Sequence, residues 1–310
     1  MNSLPVSTAI EGFLLECSAR RLSPNIIIFY KAILAKLIRF MPGDPSIAEI
    51  TKIQLETFLS SLVTLSNKSL LGHHATLSAL WRWAERERLV ERNIVRDIPA
   101  PRPEDRVINP FTQAEIKSML AAVEKSAFYT RPGQHPMQHT TPGAQRNRAM
   151  LYVLLDTGLR ASELCGLLIR DLDMKTHTLI VHNGKGNKER QIPFSDNTAK
   201  VVWRYLAERK TETVDVPLFP SLATGHELDA RDLYHLIARI AARAGVADAH
   251  PHRFRHTFAI QFLRNHGDVY TLQRILGHST LEMVRRYLAI AQTDIEAAHR
   301  LASPVANWRL

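Results

Sequence analysis

Cysteine is nearly absent from this chain: Cys17 and Cys165 are the only two in 310 residues, far apart and outside any CxxC pattern. That excludes a disulfide framework and a structural zinc site built on thiolates, and it points to a reducing compartment. Long apolar runs are missing too. No window approaches the roughly 18 unbroken apolar residues of a membrane-spanning helix. The opening MNSLPVSTAIEGF lacks a basic n-region followed by an apolar h-region. The expected setting is the cytoplasm or nucleoid, with no membrane association. Acidic residues are the remaining shortage, since 30 Asp and Glu against 40 Lys and Arg leave a net charge of +10. Such a surplus favours a polyanionic partner, because each phosphate neutralised by Lys or Arg releases condensed counterions. Nucleic acid leads, ahead of a merely basic enzyme surface; an anionic membrane comes third because no long basic amphipathic helix stands out.

The length suits two cores, and the pattern divides accordingly. Residues 1–98 read as a bundle of about four helices. One begins at SPNIIIFYKAIL, where Ser23 can cap and Pro24 suits the first helical position. Another places Leu77, Leu80, Trp81 and Ala84 on one stripe. Residues 99–110 carry prolines at 99, 101, 103 and 110 and read as an extended linker. Residues 111–310 form the second domain. It opens on a capping box of Thr112 and Glu115, with Phe111 as staple onto Ile116. A helix over RNRAMLYVLLDTG stops at Gly158, two strands flank the glycine-rich GKGNK, and more helices follow from about Asp229. Residues 126–145, rich in Pro, Gly, Thr and His, read as a loop. The fold class is therefore mainly α with a small antiparallel β-sheet: an N-terminal helical bundle and an α+β second domain.

The stretch AHPHRFRHTFAIQFLRNHG crowds three histidines and two arginines between His250 and His256. Charged donors so close repel one another, so an anion is expected among them. Taken singly, the polar residues of this domain have ordinary explanations: Arg160 as a surface arginine, Lys185 as a turn lysine, His252 and Arg255 as an i, i+3 pair, His278 as a helix-terminal histidine, Tyr287 as a core tyrosine. His252 and His256, like His135 and His139, have H-x-x-x-H spacing but lack the Glu of HExxH, so a metal site is not expected.

Taken together, TGLRASEL, GKGNKER, HRFRHT and LGHS followed by Tyr287 nine residues after His278 resemble the tyrosine recombinases: the phage-type integrases and Xer-type resolvers. The resemblance runs over nearly the whole chain, linker included. Chemistry fits beside it. Transferring a phosphodiester between hydroxyls needs an in-line nucleophile, stabilised non-bridging oxygens and a proton for the leaving 5′ oxygen. Arg160 and Arg255 offer two planar forks for one phosphate in place of a metal. Tyr287 is the candidate nucleophile, forming a 3′-phosphotyrosyl bond that conserves the linkage without ATP or another cofactor. The resemblance implies that Lys185 protonates the 5′ oxygen, that His252 assists proton transfer from Tyr287, and that His278 donates to a phosphate oxygen. His256 and Thr257 match the pattern but read as structural supports; His250 and Arg253 have no assigned role.

Nine residues at 100° make about 900°, half a turn out of phase, so His278 and Tyr287 should not share one helix. Ser279 and Glu282 offer a capping box that would put His278 just outside the helix of Tyr287. The resemblance further implies a clamp around double-stranded DNA. Lys31, Lys36, Lys68, Arg82 and Arg86 are candidate contacts from the first domain. It also implies a homo-tetramer on two DNA sites, or a hetero-tetramer with a related recombinase, joined through residues 293–310. The competing readings are a non-recombining DNA-binding relative and a type IB topoisomerase-like relaxing enzyme.

Overall fold

The chain divides into two compact units, Met1–Arg106 and Val107–Leu310. The computed structural model describes residues 4–102, 109–124, 139, 141–182, 189–209, 213–278, 280, 281, 284, 285, 287, 288, 303 and 305. In the first unit, helices start where the sequence supplies caps. They are α1 (Val6–Ala19), α2 (Pro24–Phe40), α3 (Lys52–Ser61) and α4 (Asn67–Arg86). The Ser23 hydroxyl accepts the Ile26 N–H at 3.4 Å with Pro24 in the first turn, which satisfies one orphan donor where proline has none to offer. Thr51 and Gln54 close a capping box at α3, and Ser66 caps α4. Leu77, Leu80, Trp81 and Ala84 are buried along α4 as their spacing predicts, and meet Leu34, Leu37, Leu55 and Phe58 in one core. Among the described residues no helix is long and apolar enough to cross a membrane.

The second unit comprises α5 (Gln113–Glu124), α6 (Ala144–Thr157), α7 (Ala161–Cys165), β1 (Leu172–Asp173), β2 (Thr178–Val181), β3 (Arg190–Pro193), α8 (Asp196–Arg209), α9 (Ala230–Ala244), α10 (Pro251–Arg264) and α11 (Val269–Leu276). The sheet is antiparallel in the order β1-β2-β3, with Leu179 opposite Ile192 and Val181 opposite Arg190. Leu179, Val181 and Ile192 turn into the core, while the β2–β3 tip, Lys185 included, lies outside the described residues. So do most of residues 126–145.

Several joints fix the frame of the site. Thr112 and Glu115 form the expected box, the Glu115 carboxylate accepting the Thr112 N–H at 2.7 Å. Phe111 packs against Phe254, ring centroids 4.7 Å apart, and lies 4.0 Å beneath the Arg253 guanidinium. Arg253 also donates to Glu115 at 2.9 Å, so it ties the start of α5 to α10. Thr257 accepts the Phe111 N–H at 2.8 Å, a supporting bond. α6 stops at Gly158, whose φ of +63° suits glycine, and a Cβ there would stand 2.5 Å from Phe258 Cδ1 and 2.9 Å from Leu276 Cδ2. α11 ends in the same manner at Gly277, also at φ +63°.

Candidate active site

α10 begins at a cap that the sequence reading left without a role: His250 Nδ1 accepts the Arg253 N–H at 3.1 Å, and Pro251 opens the helix. One turn on, Arg255 is 1% exposed. Its guanidinium donates to the Gly158 carbonyl at 2.8 Å, the Leu276 carbonyl at 2.7 Å and His278 Nε2 at 2.9 Å. All three acceptors are neutral, and among the described residues no carboxylate bonds it. Burial, then the nearby Arg160, push its pKa down to about 10. The charged form therefore persists at neutral pH without a counter-ion in contact. Arg146 is also buried, but its fork is taken up by Asn147 Oδ1 and the Pro220 carbonyl, inside the core.

His278 follows Gly277 and is buried. Burial, then Arg255 and Arg160, lower its pKa to about 4, so the ring is neutral. A guanidinium has only donors to offer. Nε2 must therefore be the bare nitrogen, and the ring proton sits on Nδ1. That Nδ1–H is buried with no hydrogen-bond partner among the described residues. An unmet donor in such a place costs about 1–3 kcal/mol, and an incoming acceptor would relieve it.

Arg160 caps the start of α7 with its side chain 35% exposed, reachable from solvent. Its direction is set by Glu163, which accepts from Arg160 Nη1 and from the Arg160 backbone N–H, each at 2.8 Å. Arg190, at the start of β3, grips the same carboxylate with both fork nitrogens at 3.0 and 2.8 Å and donates to the Ile275 carbonyl at 2.9 Å. Burial alone would raise the Glu163 carboxyl, but the Arg190 hydrogen bonds and then Arg160 hold it at about 2. Two guanidiniums thus share one carboxylate, with that of Arg255 close enough to feel it, leaving a cationic surplus.

Tyr287 lies in a helical stretch with Val284 and Leu288 and is 4% exposed. Its ring stacks on His278, centroids 6.4 Å apart and planes 11° from parallel. The two rings lie parallel and offset on the same side, which a continuous helix would forbid. The break lies in the chain between them: His278, just past the Gly277 cap, and residues 280 and 281 are not helical, and helix resumes by Val284; Ser279 and Glu282 lie outside the described residues. The Tyr287 hydroxyl is 2.9 Å from His256 Nδ1. His252 is exposed one turn earlier, its ring edge-on to His256 at 4.3 Å.

Of the residues singled out on sequence grounds, Arg160, Arg255, His278 and Tyr287 come together, with His252 at the margin through His256. Lys185 lies outside the described residues. In the first unit, Lys31, Lys36, Lys68 and Arg82 are exposed, and Arg86 is engaged by Glu16 and Glu87. Sequence reasoning missed three members: Glu163, Arg190 and the contact of His256. Glu163 had a signal, since its position three residues after the helix cap is that of a capping-box glutamate.

The sequence profile of the phage integrase family matches residues 110–294. The tyrosine recombinase XerC of Oceanobacillus iheyensis is 29% identical over 99% of both chains. That of Pelobacter propionicus is 30% identical over 98% of this chain and 97% of its own. Among solved structures, the Tn1549 transposon integrase in complex with a circular intermediate DNA superposes with a TM-score of 0.76 at 20% identity, covering 94% of this chain and 98% of that one. A lambda integrase dimer bound to a core site gives 0.73 at 18% identity, over 92% and 77%. At these identities the two structures speak for the fold alone. The matched profile takes in every clustered residue of the second unit, and the XerC relatives align almost end to end, so the chain belongs to the phage integrase family of tyrosine recombinases.

Proposed function

We infer that this protein is a site-specific DNA recombinase that cleaves and rejoins duplex DNA through a 3′-phosphotyrosyl intermediate. The observation that carries the reading is a buried Arg255 without a bonded carboxylate, joined to a neutral His278 whose Nδ1–H has no partner among the described residues, beside the hydroxyl of Tyr287. A phosphodiester satisfies all of these at once. Its non-bridging oxygens take the forks of Arg160 and Arg255 and the Nδ1–H of His278, charge-assisted bonds that strengthen as charge builds in the transition state. The Tyr287 oxygen attacks phosphorus and the 5′ oxygen leaves, protonated by Lys185 as the resemblance implies. Guanidiniums supply the charge stabilisation that a metal ion would otherwise give, and the phosphotyrosyl bond conserves the energy of the linkage, so resealing needs no ATP.

The first unit would add contacts of its own to the duplex. Lys68, Arg82 and Arg86 fall within about 40° of one another around α4, a basic stripe suited to a phosphate backbone. Strand exchange between two sites calls for four protomers, of this chain or of this chain with a related recombinase, working on cytoplasmic DNA. The test is covalent capture. Wild-type protein in EDTA with labelled, nicked duplexes tiled from DNA flanking its own gene should yield protein-linked label, and Tyr287→Phe should abolish it. Specific binding without label from the wild type would favour a non-cleaving DNA-binding relative.

A further inference from the structure

The family resemblance implies that His252 assists proton transfer from Tyr287, yet the ring in contact with the hydroxyl is that of His256, 2.9 Å away through Nδ1. We propose that His256 aims the Tyr287 hydroxyl and accepts its proton as the oxygen attacks phosphorus. The inference rests on the reading of Tyr287 as nucleophile and adds a residue to that chemistry.

Three observations carry it. First, the phenol is almost wholly buried, at 4% exposure, and a buried O–H requires an acceptor; His256 provides one. Second, the ring is held on two sides, stacked on His278 at 6.4 Å and tilted against His256 at 5.5 Å. His256 therefore fixes where the oxygen points while His278 fixes the plane. Third, the neighbours of His256 keep it uncharged. Burial, then His252, His250 and Arg255, lower its pKa to about 4. A charged imidazolium could only donate to the phenol, whereas the neutral ring in its Nε2–H tautomer, the form that accepts the buried O–H, keeps a lone pair on Nδ1 for the incoming proton.

The proton balance is simple. The Tyr287 O–H bond breaks as the His256 Nδ1–H bond forms; the tyrosyl oxygen bonds phosphorus, and the P–O5′ bond breaks with a proton delivered from the opposite side by the acid assigned to Lys185. On resealing, His256 returns its proton to the departing tyrosyl oxygen. A phosphate docked on Arg160 and Arg255 offsets the positive charge that disfavours protonated His256, so the base strengthens once substrate is in place.

The test is the single-turnover rate of covalent complex formation on a nicked duplex of the site located with wild-type protein, with DNA affinity followed by gel shift. His256→Phe keeps a ring and removes the acceptor. It should bind DNA within about twofold of wild type but form the covalent complex about 100-fold more slowly, the usual scale of a lost acid–base group. His256→Asn, which restores an acceptor that cannot take up a proton, should recover part of that loss. Adding imidazole to His256→Ala should restore the rate in proportion to the neutral form of the imidazole. A His256→Phe rate within about threefold of wild type would overturn the proposal, as would a loss that neither Asn nor imidazole relieves. Label that persists in Tyr287→Phe would instead remove the nucleophile assignment, and this inference with it.

Discussion

Replacing Glu163 by Gln removes one negative charge from between Arg160 and Arg190 and keeps the size of the side chain. The structure sets the magnitude. Glu163 is 7% exposed and accepts four charge-assisted or backbone hydrogen bonds of 2.8–3.0 Å, and its pKa falls from 4.5 to about 2. At about 1.4 kcal/mol per pKa unit, the carboxylate form contributes roughly 3 kcal/mol to the folded state. The Gln amide would also present N–H donors to guanidiniums that have none but donors of their own. We expect Glu163→Gln to lose roughly 3 kcal/mol at pH 7, in keeping with breaking a buried ion pair. Because the folded pKa is depressed, this contribution is complete above the unfolded value of 4.5 and is lost as pH falls through about 2. The difference between wild type and variant should therefore shrink steadily below about pH 4.5. The assay is urea unfolding of the full chain, read by pulse-labelled hydrogen exchange of peptides from α7 and β3, so that the first unit does not contribute. A difference under about 1 kcal/mol at pH 7, or one that stays constant down to about pH 3, would refute the reasoning.

Gly158→Ala should destabilise the second unit by about 2–4 kcal/mol, since it adds a left-handed backbone cost to a Cβ pressed against Phe258 and Leu276; a thermal midpoint within a degree or two of wild type would contradict this. His182 Nδ1 lies 2.7 Å from Glu189 and its Nε2 2.8 Å from Asp171, and Glu189 first and Asp171 second raise its pKa above 6.5. Its stabilising share is present below that value and lost as pH rises through the raised one; an NMR titration should show the shift and its decrease in Glu189→Gln, and an unshifted midpoint would sink the assignment. Deleting residues 293–310 should leave binding to single sites intact and weaken the pairing of two sites, measured by gel shift against native-gel synapsis; unchanged recombination would refute a docking role.

How much could be read from sequence followed the range of the interaction. Ser23, Thr112 and Gly158 act on backbone groups a few residues away, so the helix starts and the stop could be seen beforehand. Arg160, Arg255, His278 and Tyr287 were found because their spacing as a set carries the chemistry. β1 escaped notice because a two-residue strand has no period of its own and exists only through pairing with β2. The grip of Arg190 on Glu163 spans 27 residues and that of Tyr287 on His256 spans 31, and no local pattern announces either. That His278 and Tyr287 sit on separate elements was legible from their nine-residue spacing, whereas the parallel stacking of their rings was not.

The two carbonyls that hold Arg255 both belong to helix C-terminal ends. Gly158 caps the C-terminal end of α6, and Leu276 is the last residue of α11. Each helix end carries roughly half a negative charge from its aligned peptide dipoles, so two of them together offset about one guanidinium. The protein thereby buries a cation with fixed backbone dipoles, where a carboxylate would have done so by direct pairing. A carboxylate would compete with phosphate for the same fork and could be neutralised by acid. Helix ends do neither: they keep the arginine oriented through acid and neutral pH and leave its charge to be claimed by the next anion that arrives.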